Sequence, residues 1–153
     1  MSYFSRKRPA KGLILRDDHP TVVFVTVCTK NRAAWLDCDR AHALLRSIWT
    51  NAQDWEVGPY VLMPDHLHLF ASSGLQTRGF DQWIKYWKAL FTIGFSNKRF
   101  GWQQSAFHHR IRSYEDCEAK SEYIRQNPIR AGLVMHISDW PYQGEIFPSK
   151  YWW

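Results

Sequence analysis

The chain has 153 residues, and its 20 Lys and Arg against 14 Asp and Glu give a formal charge of +6. This length typically forms one domain around one core, and the basic balance favours a polyanionic partner such as nucleic acid or an anionic membrane surface. No apolar run could span a bilayer, the three cysteines lack CxxC or zinc-knuckle spacing, and the first residues lack the apolar core of a signal peptide. These features predict a reduced, cytoplasmic protein without disulfides.

The first 20 residues read as a basic N-terminal arm. Arg6, Lys7 and Arg8 lie close together there, without an apolar pattern that would bury them. Such a segment is either a solvated tail or a contact to nucleic acid, and both interpretations stay open.

The next elements alternate between strand and helix patterns. Residues 21–29 are rich in β-branched side chains and predict a strand, and apolar positions recur at helical spacing over residues 39–54. Two apolar runs, residues 57–63 and 66–72, flank the turn signature Pro64-Asp65 and predict an antiparallel hairpin.

The second half of the chain repeats this alternation. Residues 80–96 predict a helix with an aromatic stripe facing the core, and Lys85 and Lys88 are predicted off that stripe as candidate phosphate contacts. Residues 102–112 fit a fourth strand that carries polar and basic side chains. Residues 115–126 predict a third helix that Asn127-Pro128 ends.

This order of elements predicts an α+β fold of the ferredoxin-like sandwich type. We expect a four-stranded antiparallel sheet with two helices on one face and an additional helix on the other, where a site could form. The predicted domain covers residues 21–135. Residues 136–153, which end in Tyr151-Trp152-Trp153, form an aromatic tail predicted to pack on or beside it.

Candidate metal ligands stand at the start of the second hairpin strand. His66 and His68 are two residues apart, so they point to one face of a strand and could chelate one divalent ion with a third group. A polar sheet face with two unrelated histidines is the simpler alternative. Tyr123 and Asn127 share a helical face and could reach the same place, although a packing aromatic and a turn cap are the simpler explanations.

Three blocks together resemble one family. They are residues 63–69 (MPDHLHL), Trp102-Gln103 with Phe107 and Arg112 downstream, and residues 123–134 (YIRQNPIRAGLV). In these blocks, which run in order along the chain, the sequence resembles the REP-associated tyrosine transposases, the domesticated branch of the single-tyrosine HUH transposases of bacterial insertion sequences.

The resemblance implies an endonuclease and strand transferase for single-stranded DNA that acts on palindromic repeats folded into hairpins. It makes His66 and His68 the metal ligands, Tyr123 the nucleophile that forms a 5′-phosphotyrosine, and Asn127 the third ligand. Mobile relatives carry Gln four residues after the tyrosine, so the adjacent Gln126 stays an alternative to Asn127. The implied cofactor is Mg²⁺ or Mn²⁺, and the domesticated branch suggests a monomer although mobile relatives form dimers.

The expected DNA contacts are basic side chains: Arg6, Lys7, Arg8, Lys85, Lys88, Arg110, Arg112 and Arg130. Two other functions remain as alternatives. One is a hairpin-binding protein that has lost cleavage. The other is a hydrolase that combines His66 and His68 with His108 or His109 and uses water as the nucleophile.

Overall fold

The computed structural model describes residues 21–73, 78–97 and 99–148. The predicted basic arm with Arg6, Lys7 and Arg8, and the terminal residues 151–153, lie outside the described residues. The elements follow in the order β1 (Val22–Cys28), α1 (Asp39–Asn51), β2 (Trp55–Leu62), β3 (His66–Ser73), α2 (Phe80–Phe95), β4 (Phe107–Arg110), α3 (Tyr114–Arg130) and β5 (Gln143–Glu145). In these ranges no helix has the length and apolar character that crossing a membrane would need.

The strands form one antiparallel sheet in the order β4-β1-β3-β2-β5. The predicted α+β architecture is confirmed, and β1 to β4 with α1 and α2 follow the predicted ferredoxin-like order. One short strand is added, because β5 pairs with residues 59–61 at the outer edge of β2. The residues that form it belong to the segment predicted as a tail.

One face of the sheet packs against α1 and α2. Val23, Val25 and Val27 of β1 are fully buried there, and Trp49 of α1 meets Trp87 of α2 at right angles with ring centroids 5.5 Å apart. Burial of such large rings supplies most of the driving force for folding in a domain of this size. The aromatic stripe predicted for α2 is buried in this core, with Leu90 partly exposed.

The opposite face is covered by α3 and by the segment that follows it. Val22, Phe24 and Phe70 on the sheet pack against Ile124 of α3 and against Trp140. Alternate residues of β1 point to opposite faces of the sheet, and both sets are buried in the first half of the strand. Thr26 and Cys28 near its end are only partly buried, so the cover on this second face is incomplete there.

The third helix is longer than predicted. It runs from Tyr114 to Arg130 and contains Pro128, so the predicted end at Gln126 is wrong. Pro128 has no N–H to donate to the carbonyl four residues before it, and the residue is buried. The helix ends instead where Gly132 takes φ +74°, with its N–H bonded to Ile129 O and the next N–H bonded to Pro128 O.

The fourth strand is shorter than predicted. Only Phe107–Arg110 pair with β1, whereas Trp102 makes a single isolated bridge to Thr29. The reason lies in the intervening segment, since the backbone carbonyls of Gln103 and Gln104 accept hydrogen bonds from a lysine of α2 instead of extending the ladder.

Candidate functional site

The two histidines of β3 lie on the face that α3 covers. His66 is paired in register with Cys28, and His68 is paired with Thr26 of the neighbouring β1. Their ring centroids are 4.9 Å apart and the rings meet nearly at right angles. The strand period therefore places both imidazoles on one face and close together, as the sequence predicted.

His68 is held in a buried position. Its side chain is 4% exposed, Phe24 stacks on the ring at 5.3 Å, and Nδ1 lies 2.8 Å from the hydroxyl oxygen of Thr26. Burial lowers the pKa of His68 to about 3, with further lowering from the charges of His66, Lys120 and Arg130. The imidazole is therefore neutral at neutral pH, and its buried Nε2 has no hydrogen-bond partner among the described residues.

His66 is oriented by the residue before it. The Asp65 carboxylate accepts a hydrogen bond from Nδ1 of His66 at 2.7 Å. A carboxylate is an acceptor only, so the proton on this imidazole sits on Nδ1 and the lone pair of Nε2 is available. Such a carboxylate partner is the usual second contact of a metal-binding histidine.

The third helix brings the predicted nucleophile to these imidazoles. Tyr123 packs edge-on against His68 with ring centroids 5.2 Å apart, and its side chain remains 43% exposed. The Arg130 guanidinium lies 4.6 Å from the centre of the tyrosine ring, and its Nη2 donates to the Tyr123 carbonyl. A phenol reachable from solvent thus stands beside a buried imidazole and a cation.

The two candidates for the third ligand differ in their surroundings. Asn127 is 8% exposed, and its amide nitrogen donates to the Tyr123 carbonyl at 3.3 Å, which leaves the side-chain oxygen as the available donor atom for a metal. Gln126 instead donates to Glu122 on the outer side of the helix. These contacts favour Asn127 over Gln126 as the residue that could approach the histidines.

The donor set fits a divalent ion bound by two imidazoles and an amide. Both histidines have their Nδ1 atoms hydrogen-bonded, so each can offer Nε2, and the Nε2 of His68 is an unpaired buried polar atom. Within the described ranges no three His, Cys, Asp or Glu side chains form a metal-holding group. The amide oxygen of Asn127 could then act as a third protein ligand.

The histidines of β4 do not complete a three-histidine site. His108 pairs with Val25 on the face of α1 and α2, where its ring meets Phe80 at 5.3 Å. His109 lies on the site face, but its Nε2 is 2.8 Å from the Asp116 carboxylate at the start of α3. This geometry counts against the hydrolase that the sequence left open.

The predicted DNA contacts are divided between different parts of the surface. Arg130 lies at the site, and Arg112 is exposed in the segment just before α3. Arg110 is half-buried on β4, and Lys85 is exposed on α2, across the sheet from the histidines. Sequence analysis missed Lys120, whose ammonium lies 5.4 Å from the Phe24 ring beside His68. Its position three residues before Tyr123 on the helix was the available signal.

Lys88 is placed differently from its prediction. The residue is 9% exposed, so the prediction that it lies off the buried stripe is wrong. Its ammonium donates to the carbonyls of Gln103 at 2.7 Å and Gln104 at 3.3 Å, and burial lowers its pKa. A phosphate contact would have to break these bonds, so Lys88 joins α2 to the segment before β4.

Comparison with known proteins gives two informative similarities. A REP-associated tyrosine transposase of Escherichia coli strain K12 is 29% identical over 124 residues, which are 78% of this chain and 73% of that protein. A solved structure of a REP-associated tyrosine transposase bound to a REP hairpin superposes with a TM-score of 0.69 at 22% identity, covering 86% of this chain and 90% of the other. No family model matches the chain.

Proposed function

We propose that this chain, which is related by sequence to the REP-associated tyrosine transposases, is a DNA-processing enzyme that breaks and rejoins a single strand beside palindromic repeat hairpins. The observation that carries the proposal is the position of Tyr123, an accessible phenol whose ring contacts the buried, neutral His68. The hairpin named with the structural relative supports DNA of the same kind as the substrate class.

The reaction is a transesterification at a phosphodiester. The Tyr123 oxygen attacks phosphorus, a tyrosine–phosphorus bond forms, and the bond from phosphorus to the 3′ oxygen breaks. The phenol loses its proton and the leaving 3′ oxygen gains one. The number of phosphate ester bonds is unchanged, so a second 3′-hydroxyl can reverse the step and rejoin the strand without an external energy source.

The residues around Tyr123 supply positive charge and hold the tyrosine in place. Arg130 and Lys120 bring two cations to the site, and cations stabilise the charge on a phosphate under attack. His66, His68 and Asn127 would hold a Mg²⁺ or Mn²⁺ ion, which supplies further neutralisation of that charge. Packing of α3 on the sheet fixes the tyrosine against the histidines, so that attack begins from an oriented group.

A matched pair of tyrosine variants tests this proposal. A labelled single-stranded hairpin oligonucleotide is incubated with the protein and Mn²⁺, and the products are separated on a denaturing gel. We expect a covalent protein–DNA band with the wild type that Tyr123→Phe and EDTA abolish. Tyr114→Phe is the control, since Tyr114 is an exposed tyrosine on the same helix whose hydroxyl donates to Glu118.

Two outcomes would contradict the proposal. An adduct that persists in Tyr123→Phe would assign the nucleophile elsewhere. Tight hairpin binding with neither adduct nor cleavage by the wild type would indicate a DNA-binding protein that has lost the reaction.

A further inference from the structure

A loop that follows β1 is bonded to the turn that precedes the histidines. Thr29 donates its backbone N–H to the Asp65 carbonyl at 3.0 Å, and its hydroxyl, which has one proton, lies 2.8 Å from the Ala33 carbonyl and 3.0 Å from the Asp65 carbonyl. Trp35 and Leu36 donate their N–H groups to the Pro64 carbonyl, also at 3.0 Å. The position of Asp65 is therefore set by residues more than 25 positions earlier in the chain.

The backbone of this loop adopts a conformation that ordinary residues rarely take. Asn31 has φ 58° and the next residue, Arg32, has φ 54°. Left-handed conformations are unfavourable for residues with a Cβ; asparagine tolerates them better than most, so the strain falls mainly on Arg32. Strain of this kind persists only where the surrounding contacts fix it, and it is often found at functional sites.

The strained residue contacts the carboxylate that orients His66. Nε of Arg32 lies 3.0 Å from Oδ2 of Asp65, and Oδ1 of the same carboxylate accepts from His66 at 2.7 Å. The carboxylate thus accepts from two donors, one on each oxygen.

We infer that Arg32 is a positioning residue, which acts through Asp65 to fix the ring orientation and tautomer of His66. With one carboxylate oxygen occupied by the guanidinium, the other faces His66 and keeps the proton on Nδ1, so that Nε2 offers its lone pair to the site. The inference rests on the proposed function, because an oriented Nε2 matters only if His66 binds a divalent ion. The pair is partly exposed, with side-chain exposures of 53% and 30%, so its role in overall stability is small.

The Arg32→Gly variant distinguishes a positioning role of Arg32 from a role in the stability of the fold. Glycine adopts φ 54° without penalty, so this variant removes the side chain and relieves the strained backbone together. We expect its melting temperature to stay unchanged or rise, while Mn²⁺ affinity measured by electron paramagnetic resonance falls about tenfold, as is typical when an outer partner of a metal ligand is lost. Arg32→Lys should recover part of the affinity, since it restores the charge but not the planar fork.

A second readout needs neither metal nor DNA. Nitrogen-15 NMR of the histidine rings in the metal-free protein reports which nitrogen carries the proton. We expect His66 to be the Nδ1-protonated tautomer in the wild type and a mixture of tautomers in Arg32→Gly. The control is Arg125→Ala. Alanine is used there because a glycine inside α3 would weaken the helix. The Arg125→Ala substitution removes another exposed arginine paired with a carboxylate, that of Glu122, whose donors among the described residues are Arg125 and Gln126.

The outcomes separate this inference from the proposed function. An Arg32→Gly protein with wild-type tautomer and wild-type Mn²⁺ affinity would overturn the positioning role. The same losses in Arg125→Ala would also overturn it, because the effect would not be specific to the Asp65 contact. Loss of affinity in Arg32→Gly together with a wild type that never forms a DNA adduct would support the positioning role and refute the transesterase.

Discussion

An exposed phenylalanine lies in the same cross-strand row as the buried histidine. Phe107 pairs with Thr26, which pairs with His68, so all three side chains point to the site face. Phe107 is 70% exposed at the sheet edge, two strand spacings or about 10 Å from His68. A base next to a phosphate held at the histidines can stack there. We expect Phe107→Ala to weaken single-strand binding by about 1–3 kcal/mol, measured by fluorescence anisotropy.

The control for this prediction is another exposed apolar residue on the opposite face. Ile93 on α2 is 74% exposed, and Ile93→Ala should leave DNA affinity unchanged. Both variants should retain wild-type stability, since neither side chain is buried. Equal affinities for Phe107→Ala and the wild type would mean that the strand leaves the site by another route.

At the level of single residues, the sequence was informative where the relevant spacing was local. The period of a strand predicts that His66 and His68 share a face, and helical spacing relates Tyr123 to Asn127. The partners of the histidines depend instead on strand register and on a loop. Thr26 is 42 positions from His68, and Arg32 is 33 from Asp65. One sequence does not specify such pairings.

The last turn of α3 is the element that keeps Arg130 beside Tyr123, and Gly132 determines where that turn ends. A Cβ at Gly132 would meet no atom within 4 Å, so alanine there costs only the left-handed backbone at φ +74°. We expect Gly132→Ala to lower the free energy of unfolding by about 1–2 kcal/mol in urea denaturation. Gly101→Ala is the control, because its Cβ also meets nothing and its φ is not positive. A destabilised Gly101→Ala, or an unaffected Gly132→Ala, would contradict this account.

Two predictions about the helices are wrong for the same reason, which is that tertiary contacts outweigh the local sequence signal. Asn127-Pro128 is a local signal for a helix end, yet burial of both residues outweighs it. The pattern predicts that Lys88 lies off the buried stripe, yet the carbonyls of Gln103 and Gln104 provide acceptors that allow its stem to be buried. The strongly periodic elements, β1 and α2, were predicted within one or two residues because their pattern and their burial agree.

The whole molecule buries both faces of its sheet, and the segment after α3 contributes to both. Tyr142 contacts both cores, while Trp140 completes the core under α3. Gly144 of β5 lies against α1 and β2 so closely that a Cβ there would come within 2.8 Å of Arg46 and 2.9 Å of Tyr60. This segment therefore connects the two layers across the sheet edge.

Removal of the Trp140 side chain tests whether the segment supports the whole fold. Trp140 is 7% exposed, and its Nε1 donates to the Leu62 carbonyl at 2.9 Å. We expect Trp140→Ala to lower the free energy of unfolding by about 3–5 kcal/mol, as for other buried tryptophans, while unfolding stays a single transition by circular dichroism and fluorescence. Trp140→Phe keeps an aromatic ring and loses the hydrogen bond, so it should cost less. A loss below about 1 kcal/mol in Trp140→Ala would mean that burial of this ring contributes little. The core under α3 would then form without help from the segment after α3.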